Sequence, residues 1–229
     1  MADRLRFLAL ILTAALCAPS ALAAQLSGKV VDAGGSGIEA VVWVDAPSGE
    51  RSKNPPTVEM KQEDKAFVPR MQIVEVGQAV RFPNEDHVFH NVFSASKGNA
   101  FDLGLFKADA KYDEKTLSKI EKGPEAGVVR FKSPGRVDVF CNIHPKMTAV
   151  IVVTPHEYHA RTNSDGEFTL KVPAGKVTLK ALDEAGNEAS AAVSGPGPAK
   201  IVFKDRSTAV KQHLNKQGQP YKAGDADKY

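Results

Sequence analysis

The chain has 229 residues, a formal net charge of +3 and 42% hydrophobic residues. That length holds one large or two small cored domains. So slight a charge, with no basic run interleaved with aromatics, argues against a nucleic-acid partner.

The first residues carry Arg4 and Arg6, then the apolar run "FLALILTAALCAPSALAA" ending in Ala21-Leu22-Ala23. The reading is a secretory signal peptide over 1–24, cleaved near Ala23 or Ala24. The run is too short for a membrane span. The mature chain is therefore expected in a bacterial periplasm, with no membrane attachment after cleavage. Cys17 leaves with the signal, so Cys141 stands alone and cannot form an internal disulfide. A lone thiol in an oxidising compartment needs protection, by burial or by a metal.

The rest reads as β-structure almost throughout. "LSGKVVDAGGSGIEAVVWVD" gives two apolar stretches around Gly34-Gly35-Ser36-Gly37. There Val42 and Val44 point one way, Val41 and Trp43 the other, and Trp43 is expected in a core. A polar, proline-bearing loop follows. A second group runs from Val58 to Thr154: "RMQIVEVGQAVRF", "VFHNVFS", "GVVRF", "RVDVFC" and "MTAVIVV". Within it, "YDEKTLSKIEKG" (112–123) has helical spacing, and a short helix is expected there. A third group holds "GEFTLKV", "GKVTLKAL" and "AKIVF", with Asp165-Gly166 as a tight turn. Residues 205–229 read as a polar, mobile tail. Many short strands between regular turn signals mean sandwiches or barrels, so the fold class is all-β.

The chemistry concentrates in "VDVFCNIHPKMTAV" (137–150). Val137, Val139 and Cys141 alternate on one strand face. His144 and Met147 follow at three-residue steps, before the next strand begins at Ala149. Taken singly, a cysteine and a methionine in a β core are packing residues. Together, a thiolate, a thioether and an imidazole on one tight loop select copper. Zinc would ask for more cysteine or histidine. A second imidazole is offered by His87 or His90. His90 sits in the apolar run Val88–Phe93, where a bare histidine needs a reason, and is preferred; Asn91 beside it could bridge to the loop that holds Cys141. His156 and His159 miss the spacing of a zinc-protease helix.

These residues resemble a known family. Asn-x-Asp-x-x-x-His-Asn (84–91) and Cys-x-x-His-x-x-Met (141–147) are similar to the blue copper proteins, or cupredoxins. The loop "CNIHPKM" looks most like that of the amicyanins. The strings Asn84–Ser94, Phe101–Gly104 and Cys141–Met147 also resemble bacterial exported proteins of the methylamine utilization type. The resemblance spans roughly 58–154. It implies a Greek-key sandwich and one type 1 copper ion, with His90, Cys141 and His144 as equatorial ligands and Met147 as weak axial ligand. It further implies that His144 reaches the surface as the electron port, with Pro145 stiffening the loop and adding no N–H donor to the thiolate. The implied partners are redox proteins, a dehydrogenase or a cytochrome. The charged insert after Phe101 departs from the amicyanin pattern.

"GKVVDAGGSGIEAVVWV" and "TNSDGEFTLKVPAGKVTLKA" resemble the two ends of a carboxypeptidase regulatory-like domain, a small immunoglobulin-like β-sandwich. The expected organisation is then one sandwich from 25–47 and 155–204, with the cupredoxin domain (58–154) inserted. The expected activity is single-electron transfer, not enzymatic turnover. An oxidase would need a second copper site with further histidines. A copper-holding or partner-docking module is the alternative.

Overall fold

The computed structural model describes residues 24–106, 127–195, 197–207 and 213–221. The expected signal peptide and the helix at 112–123 lie outside these. The chain opens with β1 (Ala24–Asp32) and β2 (Ala40–Val44). It continues through β3 (Val58–Glu59), β4 (Lys61–Glu63), β5 (Ala66–Val68), β6 (Met71–Glu75), β7 (Ala79–Arg81) and β8 (His90–Ser94). Next come β9 (Phe101–Phe106), β10 (Val128–Arg130), β11 (Gly135–Phe140) and β12 (Thr148–Thr154). The last are β13 (His159–Arg161), β14 (Glu167–Val172), β15 (Lys176–Asp183), β16 (Glu188–Ser194) and β17 (Ala199–Phe203). The described residues are all-β, and no helix among them is long and apolar enough to cross a membrane.

Two sheets carry the middle of the chain, ordered β6-β12-β11-β8-β9 and β10-β7-β3. Between them lies a core that includes Val74, Phe82, Val92, Phe131, Val137, Val139 and Ile151. The period of two explains who is inside. On β11, Val137 and Val139 are buried while Arg136 and Phe140 face outward. Antiparallel β11 and β12 pair from Gly135↔Val153 to Phe140↔Thr148, so residues 141–147 form the loop joining them. At its far end β11 touches β8 through Phe140↔Phe93. That contact sets Cys141 beside Asn91 and His90.

The flanking segments build two further sheets, β14-β1-β17 and β13-β2-β15-β16. Their shared core holds Leu26, Val30, Val42, Val44, Leu170, Leu179 and Ile201. Phe168 and Phe203 are buried in the same core. Strand β1 is antiparallel to β14 and parallel to β17.

The two sandwiches are not strung apart. Val41 and Leu182 from one meet Met71, Ile73, Val150 and Val152 from the other in a third apolar cluster. Trp43 is half-buried at this seam and packs against the cluster. It is a seam residue more than the core residue the sequence suggests, because its strand face is covered by a neighbouring sheet and not by its own sandwich. Arg161 adds a polar tie, donating from Nη1 to the carbonyl of Met71 at 2.6 Å.

Candidate metal centre

The loop after β11 is held at both ends by its own backbone. The N–H of Cys141 donates to the carbonyl of Met147 at 3.1 Å, and the N–H of Met147 donates to that of His144 at 2.9 Å. The second bond closes a β-turn over His144-Pro145-Lys146-Met147. Proline at the second position of such a turn has its φ set in advance and lacks only an N–H that the turn does not use. The turn thereby fixes where His144 and Met147 stand relative to Cys141.

Three donor atoms converge at the loop. His90 Nδ1 and His144 Nδ1 are 3.1 Å apart, and Cys141 Sγ lies 3.9 Å from the first and 3.7 Å from the second. A point equidistant from all three is about 2.1 Å from each, which fits bonds of about 2.0–2.3 Å from nitrogen and sulfur to a small transition-metal ion. These three residues form the metal-binding cluster found among the described residues. A thiolate with two imidazoles is a copper-selective set. The donors are thoroughly enclosed: His90 and Cys141 are 0% exposed, Met147 1% and His144 6%. Cys141 is a free, buried cysteine.

Each donor is oriented from behind. The Nε2 of His90 meets Asp86 Oδ2 at 2.6 Å, which turns Nδ1 toward the cluster. Asp86 in turn accepts the backbone N–H groups of Asp64 and Lys65 at 2.7 and 2.8 Å. Those two residues form the turn between β4 and β5 with φ of 52° and 54°, the left-handed geometry of a two-residue hairpin. Burial works against ionising Asp86. The amide of Lys65, the His90 ring and the amide of Asp64 outweigh it and hold the carboxyl below its ordinary value. Asn84 shapes this loop: its side-chain amide donates to the carbonyl of Val88 and its Oδ1 accepts the N–H of Asp86. Asp86 was visible in the sequence as part of the Asn-x-Asp motif, but its role as the support of His90 was missed. Its spacing of four from His90 was the available signal.

The sequence-derived residues fare differently. His90 is in the cluster, and His87 is exposed at the surface. Asn91 acts through its backbone, whose N–H points at Cys141 Sγ at 3.5 Å. Its side chain does not bridge to the Cys141 loop as expected. It donates instead to Asp102 Oδ1 and the carbonyl of Gly104, tying β8 to β9. Met147 is buried beside the cluster and bonds to Cys141 and His144 through its backbone. His144 belongs to the cluster and is 6% exposed.

Of the segment expected as a polar tail (205–229), residues 208–212 and 222–229 lie outside the described residues. Residues 213–221 lie against β11 and the loop after it. The His213 ring stacks on Phe140 with centroids 4.1 Å apart and planes at 15°. Tyr221 Oη donates to the carbonyl of Cys141 at 3.2 Å. Phe140 is the outward face of β11 and offers apolar surface that a ring can cover, which outweighs the polar composition around it.

Residues 56–154 match the model of the copper binding proteins, plastocyanin/azurin family. Copper is the ion that family binds, and the donor set here fits it. No relative was found among curated proteins. Among solved structures, a Cu(I) form of an amicyanin variant aligns at 16% identity over 49% of this chain and 98% of its own, with a TM-score of 0.33. The purple cupredoxin from Nitrosopumilus maritimus aligns at 17% identity over 43% of this chain and 98% of its own, with a TM-score of 0.31. A copper-containing nitrite reductase from Thermus scotoductus SA-01 aligns at 21% identity over 48% of this chain, with a TM-score of 0.35. The chain spans 25% of that reductase's length.

Proposed function

We propose that this chain is an exported electron carrier with one copper ion, which His90, Cys141 and His144 would hold, with the sulfur of Met147 as a further weak ligand. The observation that carries the reading is the triangle of Nδ1, Nδ1 and Sγ, sized for one small ion. Copper in such a donor set supplies a one-electron couple between Cu(I) and Cu(II). The protein's part is to keep the donors still while that electron moves. Asp86 holds the His90 ring, the Pro145 turn holds His144 and Met147, and the Asn91 N–H meets the sulfur. The enclosing core excludes water, so the donors have little to reorganise.

The partners are one-electron redox proteins of the periplasm, and the likeness to methylamine utilization proteins makes an amine-oxidising dehydrogenase the first to try. We assign residues 58–154 to the copper unit and 25–47 with 155–204 to a host sandwich that serves as scaffold.

The test is the visible spectrum of copper-loaded protein. An intense cysteine-to-copper band, bleached and restored by reduction and oxidation and lost in Cys141→Ser, is expected. A protein that binds copper without colour would instead be a copper-holding module.

A further inference from the structure

If the four donors carry an electron, the electron needs a way out, and the donors meet solvent almost only through His144, itself 6% exposed. His144 is the residue through which the resemblance would route it, and only a small part of its ring is open. The structure offers a different connection. The strand that leads into Cys141 presents Phe140 on its outer face, and residues 213–221 lie over that face. His213 stacks flat on Phe140, and Tyr221 meets the His213 ring edge-on with centroids 5.2 Å apart. The Tyr221 hydroxyl bonds to the carbonyl of Cys141 and lies 3.4 Å from His213 Nδ1. Two polar ties pin the segment. The Lys216 N–H donates to Asn142 Oδ1 at 2.9 Å, and Lys216 Nζ donates to Asp102 Oδ2 at 2.9 Å. Asp102 is also the residue that anchors Asn91. Both rings are partly exposed, and Leu214 between them is exposed.

We propose that Tyr221 and His213 form the electron port of this protein, coupling Cys141 to a one-electron redox protein docked over the C-terminal segment. The proposal rests on the reading of the site as an electron carrier. The physical ground is that electronic coupling falls far more slowly through covalent and hydrogen bonds than across gaps. From Cys141 Sγ the route follows the residue's own bonds to its carbonyl, crosses one hydrogen bond and arrives at a partly exposed phenol ring. The adjoining Phe140–His213 stack widens that ring into an aromatic face. One electron passes between the cysteine–metal unit and a haem or copper centre of the partner, which is oxidised or reduced by one unit in return. No bond forms or breaks. Tyr221 keeps the proton that it donates to the Cys141 carbonyl, since the step moves an electron alone.

The experiment uses the full copper-loaded chain and a c-type cytochrome as the probe. Stopped-flow rates are measured for the wild type, Tyr221→Phe and His213→Ala. Tyr221→Phe retains the ring and removes the hydrogen bond, so it tests the route without emptying the surface. The expected result is an unchanged visible spectrum in both variants, with a rate at least tenfold lower in Tyr221→Phe and lower also in His213→Ala. Backbone amide shifts on adding the cytochrome are expected at 213–221. Wild-type rates in both variants would overturn the proposal. So would a changed spectrum in Tyr221→Phe, which would make the residue a brace for Cys141, or shifts centred on 143–146. A wild type without the cysteine-to-copper band would bring down the reading of the site itself, and the port with it.

Discussion

Asp86 decides how the His90 ring is aimed. Its carboxylate ties the far nitrogen of His90 to two backbone amides of a neighbouring hairpin. Asp86→Asn removes the charge while keeping one acceptor. Copper affinity in a chelator competition titration is expected to fall by about 10–100-fold, the usual effect of losing such a support. An unchanged affinity would show that the ring is held by packing alone. The cysteine and histidines of the cluster were legible because each is out of place otherwise: a thiol with no second cysteine after Cys17, and a histidine in the run Val88–Phe93. The support was not legible, because Asp86 reads as one of three turn residues, Asn84-Glu85-Asp86. Only the fold brings the amides of Asp64 and Lys65 to it. Tyr221 and His213 were hidden for a similar reason. Seven residues of mostly polar chain separate them, and no periodicity marks two rings that meet over β11.

Strands were the most readable elements. β14 buries Phe168, Leu170 and Val172 and exposes Glu167, Thr169 and Lys171, the alternation its letters display. Turn chemistry was readable too. Asp165-Gly166 is the tight turn before β14, and Gly166 has a φ of 77°. What the letters cannot show is how close that turn comes to β1. A Cβ at Gly166 would stand 2.1 Å from the carbonyl oxygen of Val30, a residue whose own N–H donates to the Gly166 carbonyl at 2.8 Å. Gly166→Ala combines a left-handed backbone with that collision. It is expected to destabilise the host sandwich by more than about 2 kcal/mol in urea unfolding, and a loss under about 0.5 kcal/mol would mean the turn can swing away. Strand partners are a different matter. The parallel pairing of β1 with β17 joins residues on opposite sides of the copper unit, and no local pattern encodes it.

At the scale of the molecule, the link between the sandwiches carries a pH dependence. His156, between β12 and β13, is fully buried and lies against Tyr158. Burial holds its pKa below the ordinary value, outweighing the backbone carbonyls nearby and Glu75, and burial lowers that of His159 as well. The unfolded chain therefore takes up protons from about pH 6.5 downward, before the folded chain does. Stability is expected to fall as the pH drops through that value and to level off once the folded histidines are protonated too. His156→Phe should flatten part of the slope between about pH 6.5 and 5 in thermal melts, and an identical slope would assign the effect to other groups. Copper acts in the opposite sense. Free ion at 100 times its dissociation constant adds about 2.7 kcal/mol to the fold that binds it, so removal by a chelator should lower the melting temperature. Through the apolar seam of Val41, Leu182 and Met71, that loss should reach both sandwiches as one transition.

Trp43 and His159 face each other across β2 and β13. The chain thus departs for the metal-bearing half and comes back through a doorway one strand spacing wide, about 5 Å. A graft is simplest at such a threshold: a short reverse turn from 45 to 158 would let the host ladder close without it. The host so trimmed would leave Val41, Trp43 and Leu182 bare, so it should close its sheets and then cling to its own copies.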